Sequence, residues 1–268
     1  MSSLKSRLLV SVVGIPVLLW VVLWAHMGIM MLALATLSVI AAHEMMKCVG
    51  VPHKSYLHSL TCVTAMLTVS NSVIYPDVAA MLGVLYVVLA FIYAIVKAGE
   101  VKFAQILAGI FSAMVIPYSF SAFLRMGVSG IHRAYLLLPF ILSFACDTFA
   151  YFVGCTIGKH KLAPKVSPKK SVEGSIGGLL GNVVCGVLFV YVMDTWFGGA
   201  IGYGSMVVLA LCCGVVAQVG DLSFSLIKRE YGIKDYGKLF LAHGGVLDRF
   251  DSVLFVTPVI EIVLQLVK

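Results

Sequence analysis

From Val78 to Val96 the chain runs nineteen residues without a charged side chain, and the run is apolar on every side. A segment of this kind fits the hydrocarbon core of a bilayer, which takes about 20 apolar residues per helix with a range of about 17–25. Comparable runs recur along the chain, bounded by charges or turn residues: Leu8–Ala25, Met27–Ala42, Tyr56–Tyr75, Val78–Val96, Phe103–Leu124, Tyr135–Ile157, Ser175–Met193, Tyr203–Ile227 and Phe250–Val267. Closed β-barrels are the other way to satisfy backbone hydrogen bonds in lipid. Barrel strands alternate apolar and polar residues, and these runs do not. The expectation is an all-α, polytopic integral membrane protein with nine transmembrane helices.

Composition agrees. Only 12% of the 268 residues are charged and 61% are apolar, with a mean hydropathy of +1.05. A soluble chain carries about 25% charge and 45–50% apolar residues. That excludes a soluble enzyme, a disordered chain and a nucleic-acid-binding domain, despite a pI near 9.0. The first run follows Lys5 and Arg7 but is longer than the ~7–15 residues of a signal-peptide core and lacks a small-residue cleavage site. It is expected to remain as the first helix.

Basic residues in short loops favour the cytoplasmic side. With the N-terminus inside, sixteen of the nineteen Lys and Arg residues fall on inner segments, and only Arg125, Arg133 and Lys268 fall outside. The expected orientation is N-terminus cytoplasmic and C-terminus outside, in a cell inner membrane. Seven scattered cysteines (Cys48, Cys62, Cys146, Cys155, Cys185, Cys212 and Cys213) show neither metal-ligand spacing nor a disulfide framework. Small-residue spacings at Gly154/Gly158, Gly174/Gly178 and Gly177/Gly181 permit close helix approach. They suit packing within the chain or a homodimer seam.

The charges are unevenly spread. Lys159–Glu173 holds six and Asp221–Asp251 holds ten, more than half of the 31 in the chain, and both stretches are on the expected cytoplasmic side. In the first, Pro164 and Pro168 break any helix, so five lysines are expected on a semi-rigid loop. That loop serves either as an orientation signal near anionic headgroups or as a phosphate-binding element. Gly154-Cys-Thr-Ile-Gly158-Lys159-His160 is one residue short of a P-loop and lacks its Ser/Thr. In the second stretch Asp221, Ser225 and Lys228 are spaced i, i+4, i+7 and share a helix face. Asp248 and Asp251 share another if a helix begins near Gly245. Asp147 adds a carboxylate within a span, where ionisable groups mark function by default, and Tyr151 lies one turn away. His43-Glu44 is followed by Met45-Met46-Lys47, so the H-E-x-x-H zinc pattern fails. Carboxylates beside lysines point to metal-assisted phosphate chemistry, with hard Mg²⁺ the fitting cation.

Ser225-Leu-Ile-Lys-Arg-Glu-Tyr-Gly-Ile-Lys-Asp-Tyr-Gly-Lys-Leu-Phe-Leu-Ala-His-Gly-Gly-Val-Leu-Asp-Arg-Phe-Asp251 resembles the signature of the phosphatidate cytidylyltransferase (CDP-diacylglycerol synthase) family. Asp147-Thr-Phe-Ala-Tyr151 and Ser167-Pro-Lys-Lys-Ser-Val-Glu-Gly174 are similar to further family stretches, with Ser171 where a threonine is more usual. The resemblance covers about residues 140–268. It implies Mg²⁺-dependent condensation of CTP with phosphatidate, releasing pyrophosphate, with a second metal or a monovalent cation left open. Residues 1–134 would be five scaffold spans, and residues 135–268 would carry the site.

On this resemblance Asp221 and Asp248 are expected as metal ligands, supported by Asp147 and Asp251. Lys169, Lys170, Lys228 and Arg229 are expected to bind phosphate. Ser225, His243 and Arg249 order the site, Ser167 and Tyr151 contact substrate, and Gly244-Gly245 let the backbone approach phosphate. Two other functions compete: a CTP-dependent lipid kinase and an ion-coupled membrane transporter. Asp147 lies twelve residues before Lys159, roughly 18 Å along a helix. The sequence therefore leaves two options, an unwound helix near Gly154 or a polar cavity reaching into the membrane.

Overall fold

The computed structural model describes residues 3–240 and 244–266. It is helical apart from one small hairpin. The helices are α1 (Ser3–Leu23), α2 (Met27–Cys48), α3 (Tyr56–Asn71), α4 (Pro76–Val96), α5 (Phe103–Ile110), α6 (Ile116–Val128), α7 (Leu138–Ile157), α8 (Val172–Trp196), α9 (Tyr203–Glu230) and α10 (Leu247–Leu266). A π turn, Phe111–Val115, joins α5 and α6 into one continuous stretch, Phe103–Val128. A 3₁₀ turn, Arg133–Leu137, leads into α7. Among the described residues, these elements fall on the nine apolar runs of the sequence.

Six of the stretches are long and apolar enough to cross a bilayer: Met27–Cys48, Pro76–Val96, Phe103–Val128, Arg133–Ile157, Val172–Trp196 and Tyr203–Glu230. The chain is a polytopic membrane protein. In α4 the most apolar window has a mean hydropathy of 2.6. That helix leaves Val84, Val88, Ile92 and Ile95 exposed, an apolar stripe suited to contact with lipid. At 16 residues α3 is short of a bilayer, and α10 opens with Asp248, Arg249 and Asp251.

The chain divides into two compact units, Met1–Val128 with Glu230–Arg249, and Ser129–Arg229 with Phe250–Lys268. The first packs around Met46, Leu57, Tyr86, Ala90, Ile106 and Ala113, and Tyr231 closes against this core. Tyr86 is wholly buried, and its hydroxyl lies 2.9 Å from Thr61 Oγ1. Burying a tyrosine stably requires that its hydroxyl find such a partner.

In the second unit, α7 and α8 approach at their glycines. A Cβ on Gly174 would lie 2.6 Å from Ala150 O, and one on Gly178 would lie 2.8 Å from Cys146 O. The small-residue spacings therefore serve packing within this chain. Asn182 Nδ2 donates to Ala210 O (2.8 Å) between α8 and α9, and Gly220 of α9 lies against the Asp251 carbonyl of α10.

Between α7 and α8 the expected loop is a hairpin, β1 (Lys161–Ala163) and β2 (Ser167–Ser171), antiparallel with an irregular register. Prolines 164 and 168 forbid a helix there, but the turn and an edge strand both accept them. The Glu173 carboxylate anchors the entry to the hairpin, accepting from Lys159 N (3.0 Å), from His160 N (3.2 Å) and lying 2.6 Å from His160 Nδ1. Ser171 caps α8, its hydroxyl accepting from Gly174 N at 3.1 Å.

Candidate active site

In the second unit several charged groups lie close to Asp221, in the C-terminal half of α9. Lys170 Nζ donates to Asp221 Oδ2, with both side chains half-buried. Ser225, one turn on, lies 3.4 Å from Asp221 Oδ1, as the i, i+4 spacing requires. Asp147 on α7 and Asp251 on α10 are within electrostatic reach of Asp221, and Lys228 is within reach of Asp251.

The strand geometry of β2 divides two lysines that the sequence presents as equivalent. Successive side chains of a strand point to opposite faces. Lys170 turns onto Asp221, whereas Lys169 is exposed. Arg229 Nε donates to Val166 O (3.3 Å), tying the end of α9 to the hairpin turn.

α7 runs unbroken to Ile157, with Gly158 as its cap. The unwinding near Gly154 that the sequence left open does not occur. The lysine within reach of Asp147 is Lys170, supplied by the hairpin strand rather than by the helix end. Tyr151 is 67% exposed, with its ring edge-on to Phe152, and takes no part in the Lys170–Asp221 pair. Ser167 opens β2.

The first unit holds Asp248, Gly244, Gly245 and Arg249. Asp248 Oδ2 accepts from Tyr236 N (2.8 Å) and Gly245 N (2.9 Å). Gly244 has φ +84°, and a Cβ there would lie 2.7 Å from Asp248 Oδ2. A side chain is thus excluded twice over, by backbone strain and by the carboxylate. The Arg249 side chain is exposed, and His243 lies outside the described residues.

Sequence reasoning overlooked Glu44. It is buried at 4% exposure in α2, and its carboxylate accepts from Val246 N (3.0 Å) and Leu247 N (2.9 Å). The expected second span ends at Ala42, which leaves Glu44 in a loop. The helix continues to Cys48 and buries it.

No group of three His, Cys, Asp or Glu side chains among the described residues is arranged to hold a metal ion by itself. What the residues offer is separate oxygen donors near Asp221. Magnesium usually takes one or two carboxylates and completes its sphere with water and substrate phosphate, so this donor set fits it.

The fold is that of a polytopic membrane protein, and its second unit pairs Lys170 with Asp221 beside two further carboxylates, Asp147 and Asp251. The chain belongs to the cytidylyltransferase family, whose profile matches residues 5–267, and it is a nucleotidyltransferase. It is similar to the phosphatidate cytidylyltransferases of Staphylococcus haemolyticus (strain JCSC1435), at 28% identity, and Staphylococcus aureus (strain COL), at 31%. Both matches run over 265 residues, 97% of this chain and 99% of the relative. A third, from Staphylococcus epidermidis (strain ATCC 12228 / FDA PCI 1200), is 28% identical over 267 residues.

Proposed function

We propose that the protein is a phosphatidate cytidylyltransferase, which joins phosphatidate to CTP to give CDP-diacylglycerol and pyrophosphate. The observation that carries this reading is the near-complete mutual coverage with relatives of that name, which includes the hairpin and both charged clusters. A phosphatidate oxygen attacks the α-phosphorus of CTP. The bond to the bridging oxygen breaks, and pyrophosphate leaves with the electron pair. A phosphate monoester has its second pKa near 6, so the nucleophile is already dianionic at neutral pH and needs no general base. The difficulty is bringing a dianion to a triphosphate, which calls for charge neutralisation and alignment.

Lys170 supplies positive charge from the hairpin, and Lys228 and Arg229 supply it from the end of α9. Asp221 sets where Lys170 points, and Ser225 steadies Asp221. Asp221 and Asp248 are the residues that would hold Mg²⁺, with Asp147 and Asp251 in support. When bound, the cation neutralises phosphate oxygens as charge moves to the leaving group. Lys169 is assigned to phosphate binding, Ser167 and Tyr151 to substrate contacts, His243 and Arg249 to ordering the site, and Gly244-Gly245 to close approach of phosphate.

In this reading all nine apolar runs cross the membrane, the third made of α3 extended by the turn to Tyr75, with the N-terminus inside and the site facing the cytoplasm of a bacterial inner membrane. Soluble CTP then meets a lipid already in the bilayer. The test is product identity: purified protein given labelled CTP, phosphatidate and Mg²⁺ transfers cytidine to the lipid fraction. Label appearing as phosphorylated lipid without cytidine would indicate a lipid kinase. Absence of turnover would reopen an ion-coupled transporter.

A further inference from the structure

None of the described residues immediately before α10 carries a polar side chain that could cap its first turn. A helix leaves its first four N–H groups without intrahelical partners, and a polar side chain just before the helix normally accepts from them. Here the residues before Leu247 are Gly244, Gly245 and Val246, none with a polar side chain. The acceptor comes from α2, where the two oxygens of Glu44 take one backbone N–H each, Val246 at 3.0 Å and Leu247 at 2.9 Å. A carboxylate at a helix N-terminus is also favoured by the helix dipole, which offsets the cost of burying Glu44.

Two glycines make room for it. A Cβ on Gly237 or on Gly245 would collide with the Glu44 carboxylate. Beside it, Asp248 Oδ2 takes the N–H groups of Tyr236 and Gly245. Gly245 therefore lies between two carboxylates, packed against one and donating to the other.

We propose that Glu44 is a positioning residue for nucleotidyl transfer: its two-oxygen hold on Val246 and Leu247 fixes the turn from which Asp248 projects. This rests on the reading that Asp248 serves the reaction. A purely structural Glu44 would affect how much protein folds but not the turnover of each folded molecule. A positioning Glu44 sets kcat. Gln is nearly isosteric, but it keeps only one acceptor oxygen and turns an NH₂ group toward the second N–H.

The test compares Glu44→Gln with Asp248→Asn in detergent-purified, full-length protein, with activity normalised to folded material. For Glu44→Gln, kcat is expected to fall about 10–100-fold, as when the support of a reacting group is removed. KM for CTP is expected to stay within about threefold, a change worth less than the ~1.4 kcal/mol of a tenfold affinity difference. Amide exchange followed by mass spectrometry is expected to quicken across residues 244–248 and not in the hairpin at 161–171.

Full kcat in Glu44→Gln beside an inactive Asp248→Asn would overturn the inference alone. Near-normal turnover by Asp248→Asn would overturn the reading of Asp248 and the inference with it. If Glu44→Gln yields no folded protein, Glu44→Asp decides. Its shorter carboxylate loses reach, so reduced kcat at an unchanged melting temperature supports the proposal, and wild-type kcat overturns it.

Discussion

Asp221 and Asp248 come from the same charged stretch of sequence, yet their surroundings differ in kind. Asp221 faces a lysine side chain reaching over from a hairpin, with a serine hydroxyl one turn away. Asp248 has one oxygen held by two backbone N–H groups, in a turn that Glu44 anchors from α2. A lysine side chain is long and rotatable and exchanges one anion for another at little cost. Backbone amides exchange only if the turn itself unfolds. The contrast separates a carboxylate with an exchangeable side-chain partner from one built into its scaffold.

The most severe break in that contrast is Asp221→Asn. It removes the charge Lys170 points to and the oxygen donor proposed for Mg²⁺, so kcat is expected to fall by on the order of 10³-fold, the upper range for a single charge-stabilising group. Purified variant in the cytidine-transfer assay checks this. Next, Lys170→Met is expected to cost about 10²-fold in kcat. Lys169→Met should stay within about fivefold, as for an exposed charge worth at most ~1 kcal/mol. Equal losses in the two would remove the strand argument.

On the other side, Gly237→Ala drives a methyl group into the Glu44 carboxylate. About 1–3 kcal/mol of stability should be lost, as for other overpacked sites, read as a lower melting temperature in detergent. Smallest is Ser171→Ala, which deletes the α8 cap and should cost about 1 kcal/mol. Measured alongside Lys170→Met, it separates a loosened hairpin from a lost charge.

The helical membrane architecture was legible because unbroken apolar length is a property of the chain itself. The Asp221–Ser225 contact was legible for a similar reason, since i, i+4 neighbours meet in any helix. The hairpin was not. Two prolines rule out a helix but do not choose between a loop and an edge strand, and that choice decides which lysine faces Asp221. Glu44 was missed for a different reason. Its only local signal is a single acid at the end of an apolar run beside His43, where the H-E-x-x-H zinc pattern fails. Its partners, Val246 and Leu247, lie some two hundred residues further on, and no local pattern carries that information.

The alternation of Lys169 and Lys170 makes the hairpin sensitive to counting. Inserting or deleting one residue in β2 ahead of Lys169 would reverse the face of every side chain beyond it, turning Lys169 onto Asp221 and Lys170 outward. The composition of the strand would be untouched. A two-residue insertion would restore the original faces. Tolerance to length change in this segment is therefore expected to follow odd and even numbers rather than size, a constraint that substitutions alone would never reveal.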